Sequence, residues 1–186
     1  MSARRFMIET AEIAGAIDCD QIEAMVDALA DLRGRLWIIG LGGSAANASH
    51  AAADFRRLCQ MDAFCMVESV PELTARANDD GWETIFSAPL EDDATPVDFL
   101  LILSVGGGAP AVSVPIIKAI DSARAIGMRI LGIVGRDGYT SEHGDIVVRI
   151  PTVSKDRITP HSEAWQMILL HLLVSHPKLQ RKKTKW

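Results

Sequence analysis

Leu36-Trp37-Ile38-Ile39-Gly40-Leu41-Gly42-Gly43-Ser44 is the stretch whose reading decides the fold. Leu36 to Ile39 form an apolar run too short and too continuous for an amphipathic helix; such a run fits a strand buried on both faces. The glycines after it let the backbone turn tightly and approach a ligand, and a helical pattern follows from Ser44 to Cys59. Strand, glycine turn and helix in that order open a parallel sheet wound with right-handed crossovers.

The same alternation continues outward. Phe99–Leu103, Arg129–Val134 and Asp145–Ile150 are further compact apolar runs, with Ala63–Val67 a weaker fifth strand. Between them, Pro71–Ala77, Ser113–Ile126 and Ser162–Ser175 read as helices. The prediction is a doubly wound α/β fold with a mostly parallel five-stranded sheet covered by helices on both faces. Before the sheet, Ile8, Ile13, Ile17, Ile22, Met25, Val26, Leu29 and Leu32 recur at helical spacing. A break falls near Asp18-Cys19-Asp20, where Asp20 is placed to cap a second helix that ends at Gly34. With no internal repeat or low-complexity linker, the chain reads as one domain: a helical segment 1–34, an α/β core 35–176 and a solvated basic tail 177–186.

Composition narrows the function classes. The 19 Lys+Arg against 24 Asp+Glu give the 186 residues a net charge of −5, which argues against a dedicated nucleic-acid binder. Phe99 to Ile117 carries no charge, but Gly106-Gly107-Gly108, Pro110 and Pro115 interrupt it, so a buried strand followed by a loop fits better than a membrane span. The N-terminus lacks the apolar run of a secretory signal, and Cys19, Cys59 and Cys65 form no metal-like cluster. Reduced thiols in a cytoplasmic protein are the simplest reading.

Two strand ends are built to receive an anion. The turn Gly40-Leu41-Gly42-Gly43-Ser44 delivers backbone N–H groups and a hydroxyl at a helix N-terminus, where the helix dipole favours negative charge. It is neither G-x-G-x-x-G nor a P-loop, since no Lys-Ser/Thr pair follows. The second turn, Ser104-Val105-Gly106-Gly107-Gly108-Ala109-Pro110, leads to a helix beginning near Ser113 with Pro115 in its first turn. Either turn read alone is equally compatible with a tight turn that binds nothing.

Polar side chains gather on two helices. His50 and Asp54 are spaced i, i+4 among small residues, and Glu163 and His171 lie near one face of the last helix, with His161 and Gln166 nearby. Two histidines and two carboxylates suit a divalent metal, zinc first, or acid–base catalysis. The alternatives are a surface pair for His50/Asp54 and a helix cap for His161/Glu163. His143 and His176 offer no functional reading.

Taken together, these residues resemble the sugar-isomerase (SIS) domain and, within it, the phosphoheptose isomerase family. The marks are Gly42-Gly43-Ser44 followed by Ala-x-x-x-His50, Asn78-Asp79-x-Gly81, Ile85-Phe86-Ser87 and Gly135-Arg136-Asp137-Gly138. The resemblance implies a flavodoxin-like three-layer sandwich and conversion of sedoheptulose 7-phosphate to a heptose 7-phosphate through an enediol(ate). It also implies a homotetramer with sites completed by neighbouring subunits.

His50 matches the family's first-helix histidine and His171 its catalytic histidine, while Asp54 replaces a glutamate and Glu163 a glutamine. By this resemblance Asp54 and His171 are catalytic, and His50, Asp54, Glu163 and His171 hold Zn²⁺. Gly42, Gly43, Ser44, Asn78, Asp79, Ser104, Gly106, Gly107 and Ser113 would bind the phosphorylated sugar. The family's Ser-Thr-Ser-Gly-Asn-Ser loop is lengthened and loses two hydroxyls, at Val105 and Gly106, and Leu41 stands where an asparagine is usual. A non-catalytic sugar-phosphate regulator or adaptor, or an isomerase of another phosphosugar, remains the alternative at this point.

Overall fold

A computed structural model describes residues 2–183. In chain order the elements are α1 (Ala3–Ala16), α2 (Cys19–Ala30), β1 (Leu36–Gly40), α3 (Gly43–Asp54), β2 (Ala63–Cys65), α4 (Val70–Asp79), α5 (Ser87–Asp93), β3 (Phe99–Ser104), α6 (Val114–Ile126), β4 (Arg129–Val134), α7 (Tyr139–His143), β5 (Ile146–Arg149) and α8 (Ile158–Ser175). The five strands are all parallel and ordered β2-β1-β3-β4-β5. After β2 the chain crosses back to the other side of β1, so β1 and β3 flank the topological switch point. Ligands in open α/β sheets bind beyond the carboxyl ends of such strands. Both glycine turns sit there.

The apolar runs do not alternate with polar residues because each strand feeds two cores. Leu36, Ile38, Leu101, Leu103, Leu131 and Ile133 pack on the face covered by α2, α3 and α8. Trp37, Ile39, Leu100, Ile102 and Ile130 pack on the other, with Phe86, Leu90 and the α6 residues Ile116, Ala119, Ile120 and Ala123. Among the described residues, no helix is long and apolar enough to cross a membrane.

Several boundaries differ from the sequence reading, each for a physical reason. Asp18, not Asp20, caps α2, accepting from the backbone N–H of Asp20 (3.0 Å) and Gln21 (3.1 Å), because the extended residue Ile17 leaves Asp18 in the capping position. Helix α2 ends at Ala30, and Gly34 has another task. A Cβ there would run into the Asp98 carboxylate, which is buried and accepts from Arg35 N (2.7 Å), Thr95 N (2.9 Å) and Trp37 Nε1 (3.3 Å). Burial pushes the Asp98 pKa up, but the Arg35 and Thr95 N–H groups outweigh it and hold the carboxyl below its usual range.

The helix expected over Ser44–Cys59 is α only to Asp54; Phe55–Cys59 is a π turn. Helix α8 starts at Ile158, four residues before the expected Ser162, so His161 lies inside the helix rather than at its cap. The short helices α5 and α7 were not apparent from periodicity. Of the expected solvated tail, Leu179 is buried and the N–H groups of Arg181 and Lys182 both donate to Leu58 O. Residues 184–186 lie outside the described residues.

Helix α1 is fastened to α8 by one buried carboxylate. Glu9 is fully buried and accepts from Arg157 Nε (2.8 Å) and Nη2 (2.7 Å), Arg5 Nε (2.9 Å) and His161 Nε2 (2.9 Å). Phe6 stacks on the His161 ring at 4.4 Å. The Arg157 and His161 hydrogen bonds hold the Glu9 carboxyl well below its ordinary value of 4.5. The Cys59 and Cys65 thiols are buried, and loss of solvation pushes each pKa up to about 11.

A depressed carboxyl pKa stabilises the fold above the unfolded pKa and loses that contribution as the pH falls toward the folded pKa. Glu9→Gln is therefore expected to lower the melting temperature by about 5 °C or more at pH 7, by removing the buried anion shared by Arg5, Arg157 and His161. Circular dichroism melts between pH 7 and pH 3 should show the gap to the parent narrowing below about pH 4.5. A gap independent of pH would refute the assignment.

Candidate functional site

Helices α3 and α8 lie side by side and run in the same direction: Gly43 meets Glu163, Asn47 meets Gln166, and His50 meets His171. The approach depends on what the two surfaces lack. Ala48, Ala51 and Ala52 are buried beneath α3 and bring little bulk, and Gly43 has no Cβ. Asn47 supplies the polar link, its Nδ2 donating to the Glu163 carbonyl (2.9 Å) and to Gln166 Oε1 (3.1 Å).

The pairing carries three of the singled-out side chains together. His50 Nε2 lies 3.2 Å from His171 Nε2 and 3.2 Å from Asp54 Oδ2, and His171 Nε2 lies 3.8 Å from the same oxygen. Two imidazole nitrogens at this distance form a hydrogen bond only if one carries a hydrogen and the other a lone pair. The rings are half exposed, while Asp54 is more deeply set at 21% side-chain exposure.

The chemistry of this donor set fits zinc. Zinc bonds of about 2.0–2.2 Å to nitrogen and oxygen place tetrahedral ligand atoms roughly 3.3–3.5 Å apart. The separations of 3.2, 3.2 and 3.8 Å bracket that range and describe one face of a tetrahedron, leaving a fourth position open. All three atoms lie within 4.8 Å of one another.

Glu163 stands apart from this trio. Its carboxylate is pressed against Gly43 and has no hydrogen-bond or ion-pair partner among the described residues. Eight residues of α8 separate it from His171, about 12 Å of helix axis. Gln166 is buried and serves the helix pairing, while His161 belongs to the Glu9 cluster. His143 meets Arg124 (3.3 Å) and His176 meets Glu23 (3.5 Å), both away from the trio.

The first glycine turn has Gly42 at φ 61°, ψ −128° as the N-cap of α3, with no side chain capping the helix. The Ser44 hydroxyl is buried and has no hydrogen-bond partner among the described residues. At the second turn, Ser104 is buried, and Gly107 and Gly108 take φ values of 66° and 85°. Thr140 N donates to Gly107 O (2.8 Å), holding this turn against the start of α7. Ser113 is the N-cap of α6, but its hydroxyl makes no capping bond. Gly106 faces open space. Asn78 and Asp79 are exposed at the end of α4, with Asn78 Nδ2 donating to Asp79 Oδ1 (2.7 Å).

Two contributors escaped the sequence reading. Asn47 shares a stripe with Gly43, His50 and Asp54 at spacings of four, three and four, a signal that was available. The π turn after Asp54 had no local signal.

A parallel β2-β1-β3-β4-β5 sheet with glycine turns after β1 and β3, beside a His/Asp/His group on two paired helices, fits the sugar-isomerase domain that the sequence resembles. No family model matches the chain. It is 37% identical over 170 residues to the phosphoheptose isomerase of Chlorobaculum parvum, covering 85% of this chain and 79% of that one. Against the phosphoheptose isomerase of Geotalea daltonii the identity is 33% over 162 residues, 82% and 80% of the two chains. Among solved structures, phosphoheptose isomerases from Neisseria gonorrhoeae and Francisella tularensis each superpose with a TM-score of 0.79, at 24% and 20% identity. These cover 92% and 98% of this chain, and 94% and 100% of theirs. The chain belongs to the phosphoheptose isomerase family.

Gly107→Ala tests how tightly the second turn is built. A Cβ there would lie 2.5 Å from the Arg136 carbonyl oxygen, and alanine resists a φ of 66°. The substitution is expected to cost at least about 1 kcal/mol in a denaturant melt, whereas Gly106→Ala, which meets nothing, should cost far less. Equal costs would contradict the described packing.

Proposed function

We propose that this chain is an aldose–ketose isomerase that converts sedoheptulose 7-phosphate to D-glycero-D-manno-heptose 7-phosphate. The observation that carries the reading is the convergence of His50, Asp54 and His171 on one point between α3 and α8. Family membership supports the substrate, and the two anion-type turns at the switch point support a phosphorylated one. The phosphate would be held by the hydroxyls of Ser44, Ser104 and Ser113 and by N–H groups of the Gly42-Gly43 and Gly106-Gly107 turns. Asn78 and Asp79 would meet the sugar when it binds.

Asp54 acts as the base. Oδ2 faces both imidazoles, leaving Oδ1 to take a proton from C1 of the open-chain ketose and return it to C2. His171, as the partner bearing the Nε2 hydrogen, gives a proton to O2 and recovers one from O1, so the enediol forms and collapses without net charge. His50 orients that imidazole across the 3.2 Å contact between the two Nε2 atoms. Zn²⁺ would be held by His50, Asp54 and His171 through the same atoms, in place of the imidazole–imidazole hydrogen bond; when bound it supplies electrophilic polarisation of the sugar carbonyl in place of the His171 Nε2 hydrogen. Glu163, at Gly43 and apart from the trio, would accept a sugar hydroxyl with its carboxylate.

We extend the proposal to a cytoplasmic homo-oligomer, a homotetramer by family resemblance. Ile168 and Leu172 are exposed on either side of His171, and Met7 and Ile8 are exposed on α1, apolar surface that a second copy would cover. Three free cysteines support a reducing compartment.

The test is NMR of the protein with sedoheptulose 7-phosphate in D₂O. Deuterium is expected at C1 and C2 with the aldose appearing. Asp54→Asn and His171→Ala should each slow exchange by about 10²–10⁴-fold. Tight sugar binding with no exchange in the metal-loaded parent would instead favour a non-catalytic sugar-phosphate sensor.

A further inference from the structure

We propose that the C-terminal segment Lys178–Lys182 is a positioning element of the site, holding the π turn that follows Asp54 and through it the Asp54 carboxylate. The inference rests on the assignment of Asp54 to the proton-transfer group. It concerns residues that touch neither imidazole and lie more than 120 positions away in sequence.

Asp54 is the last residue of α3, and the chain widens into a π turn at the next residue. Gln60, in the left-handed conformation at φ 57°, donates its N–H to Phe55 O, the i→i+5 bond of a π turn; Met61 N reaches the same oxygen at 3.2 Å. Such turns are less stable than the α-helix they interrupt, persist only when their surroundings hold them, and occur often at functional sites. Here the holding group is identifiable. A carbonyl in a helix's last turn has no partner within the helix. Leu58 O receives two, from Arg181 N (2.8 Å) and Lys182 N (3.0 Å).

The donors are themselves anchored. Leu179 is buried against the core, Gln180 N donates to His176 O (2.9 Å), Lys178 pairs with Asp27 of α2, and His176 lies 3.5 Å from Glu23 of the same helix. On its other side the turn buries Phe55, Leu58 and Cys59, with the Cys59 thiol directed at the Val174 carbonyl of α8 (3.8 Å). The segment thus clamps the end of α3 to the same helix that carries His171.

Asp54 has a special need for this clamp. Its carboxylate is one methylene closer to the backbone than a glutamate's, so side-chain rotation compensates less for a shift of its Cα. A displacement of about 1 Å at a reacting group can cost on the order of 100-fold in rate. Leu58 O is one turn from Asp54, and releasing it lets the π turn relax toward α geometry, moving the backbone that carries the carboxylate.

The experiment replaces both donors in the full chain with Arg181→Pro/Lys182→Pro. This removes the two N–H groups and keeps Lys178 and Leu179. The single variants Arg181→Pro and Lys182→Pro each remove one donor and decide the matter if the double variant does not fold. Turnover of sedoheptulose 7-phosphate is measured with the imidazole ¹H–¹⁵N two-bond correlations of the five histidines. The expected result is kcat reduced about 10-fold or more with KM within about twofold, and shifted His50 and His171 nitrogens with His143 and His161 unmoved. A folded variant with parental kcat and unmoved His50 and His171 signals would overturn the proposal, as would an equal disturbance of all five histidines. Asp54→Asn is run alongside. If it retains parental turnover, the assignment of Asp54 fails, whatever the proline variants do.

Discussion

The site exists because two helix backbones come close enough for short side chains to meet across them. His50 and His171 touch through their Nε2 atoms only while α3 and α8 stay in register from Gly43 to Asp54. Alanines and a glycine make the approach possible without driving it, since they bury little area. The register comes from Asn47, whose amide spans the Glu163 carbonyl and Gln166. A hydrogen bond in such a seam contributes modestly to stability but opposes a one-residue slip, which would leave a part-buried carbonyl and amide unpaired.

The strands were legible because a sheet buried on both faces demands continuous apolar runs, and Leu36–Ile39, Phe99–Leu103 and Arg129–Val134 supply them. Turn chemistry was legible for the same local reason, and Ser113 with Pro115 marked the start of α6. What could not be read depends on contacts distant in sequence. Whether Asp18 or Asp20 caps α2 turns on the conformation of Ile17, and Gly34 is required by Asp98 from another strand. In the site, the i, i+4 pair His50/Asp54 was visible, and Glu163 was grouped with it from residue type and helical spacing as well as by resemblance. The packing instead sends the Glu163 carboxylate to Gly43. The interruption of α3 was invisible because the groups that satisfy Leu58 O are backbone N–H groups of the tail, and residue identity says little about them.

By the family resemblance, Asp54 and Glu163 stand in place of a glutamate and a glutamine, which alters the charge of the proposed cleft. Asp54 keeps the charge of the family's glutamate but draws it toward the backbone, and Glu163 adds a second negative charge at the first turn of α3. A carboxylate beside a helix N-terminus is favourable in the free protein and competes with any anion arriving there. The lengthened glycine loop after β3 offsets this by presenting backbone N–H groups and a Ser113 hydroxyl not consumed in capping. In the proposed function, anion recognition therefore comes from backbone more than from side chains.

The burial of two of the three thiols bears on how the molecule can be handled. Cys59 and Cys65, with pKa values near 11, present almost no thiolate at neutral pH and no accessible sulfur, whereas Cys19 is exposed at the first residue of α2. The native protein thus carries a single natural attachment point for a maleimide dye or spin label. That point lies on the helix adjoining α1, the element whose seating on α8 rests on Glu9, so a probe there would report on the N-terminal helices without any engineered cysteine.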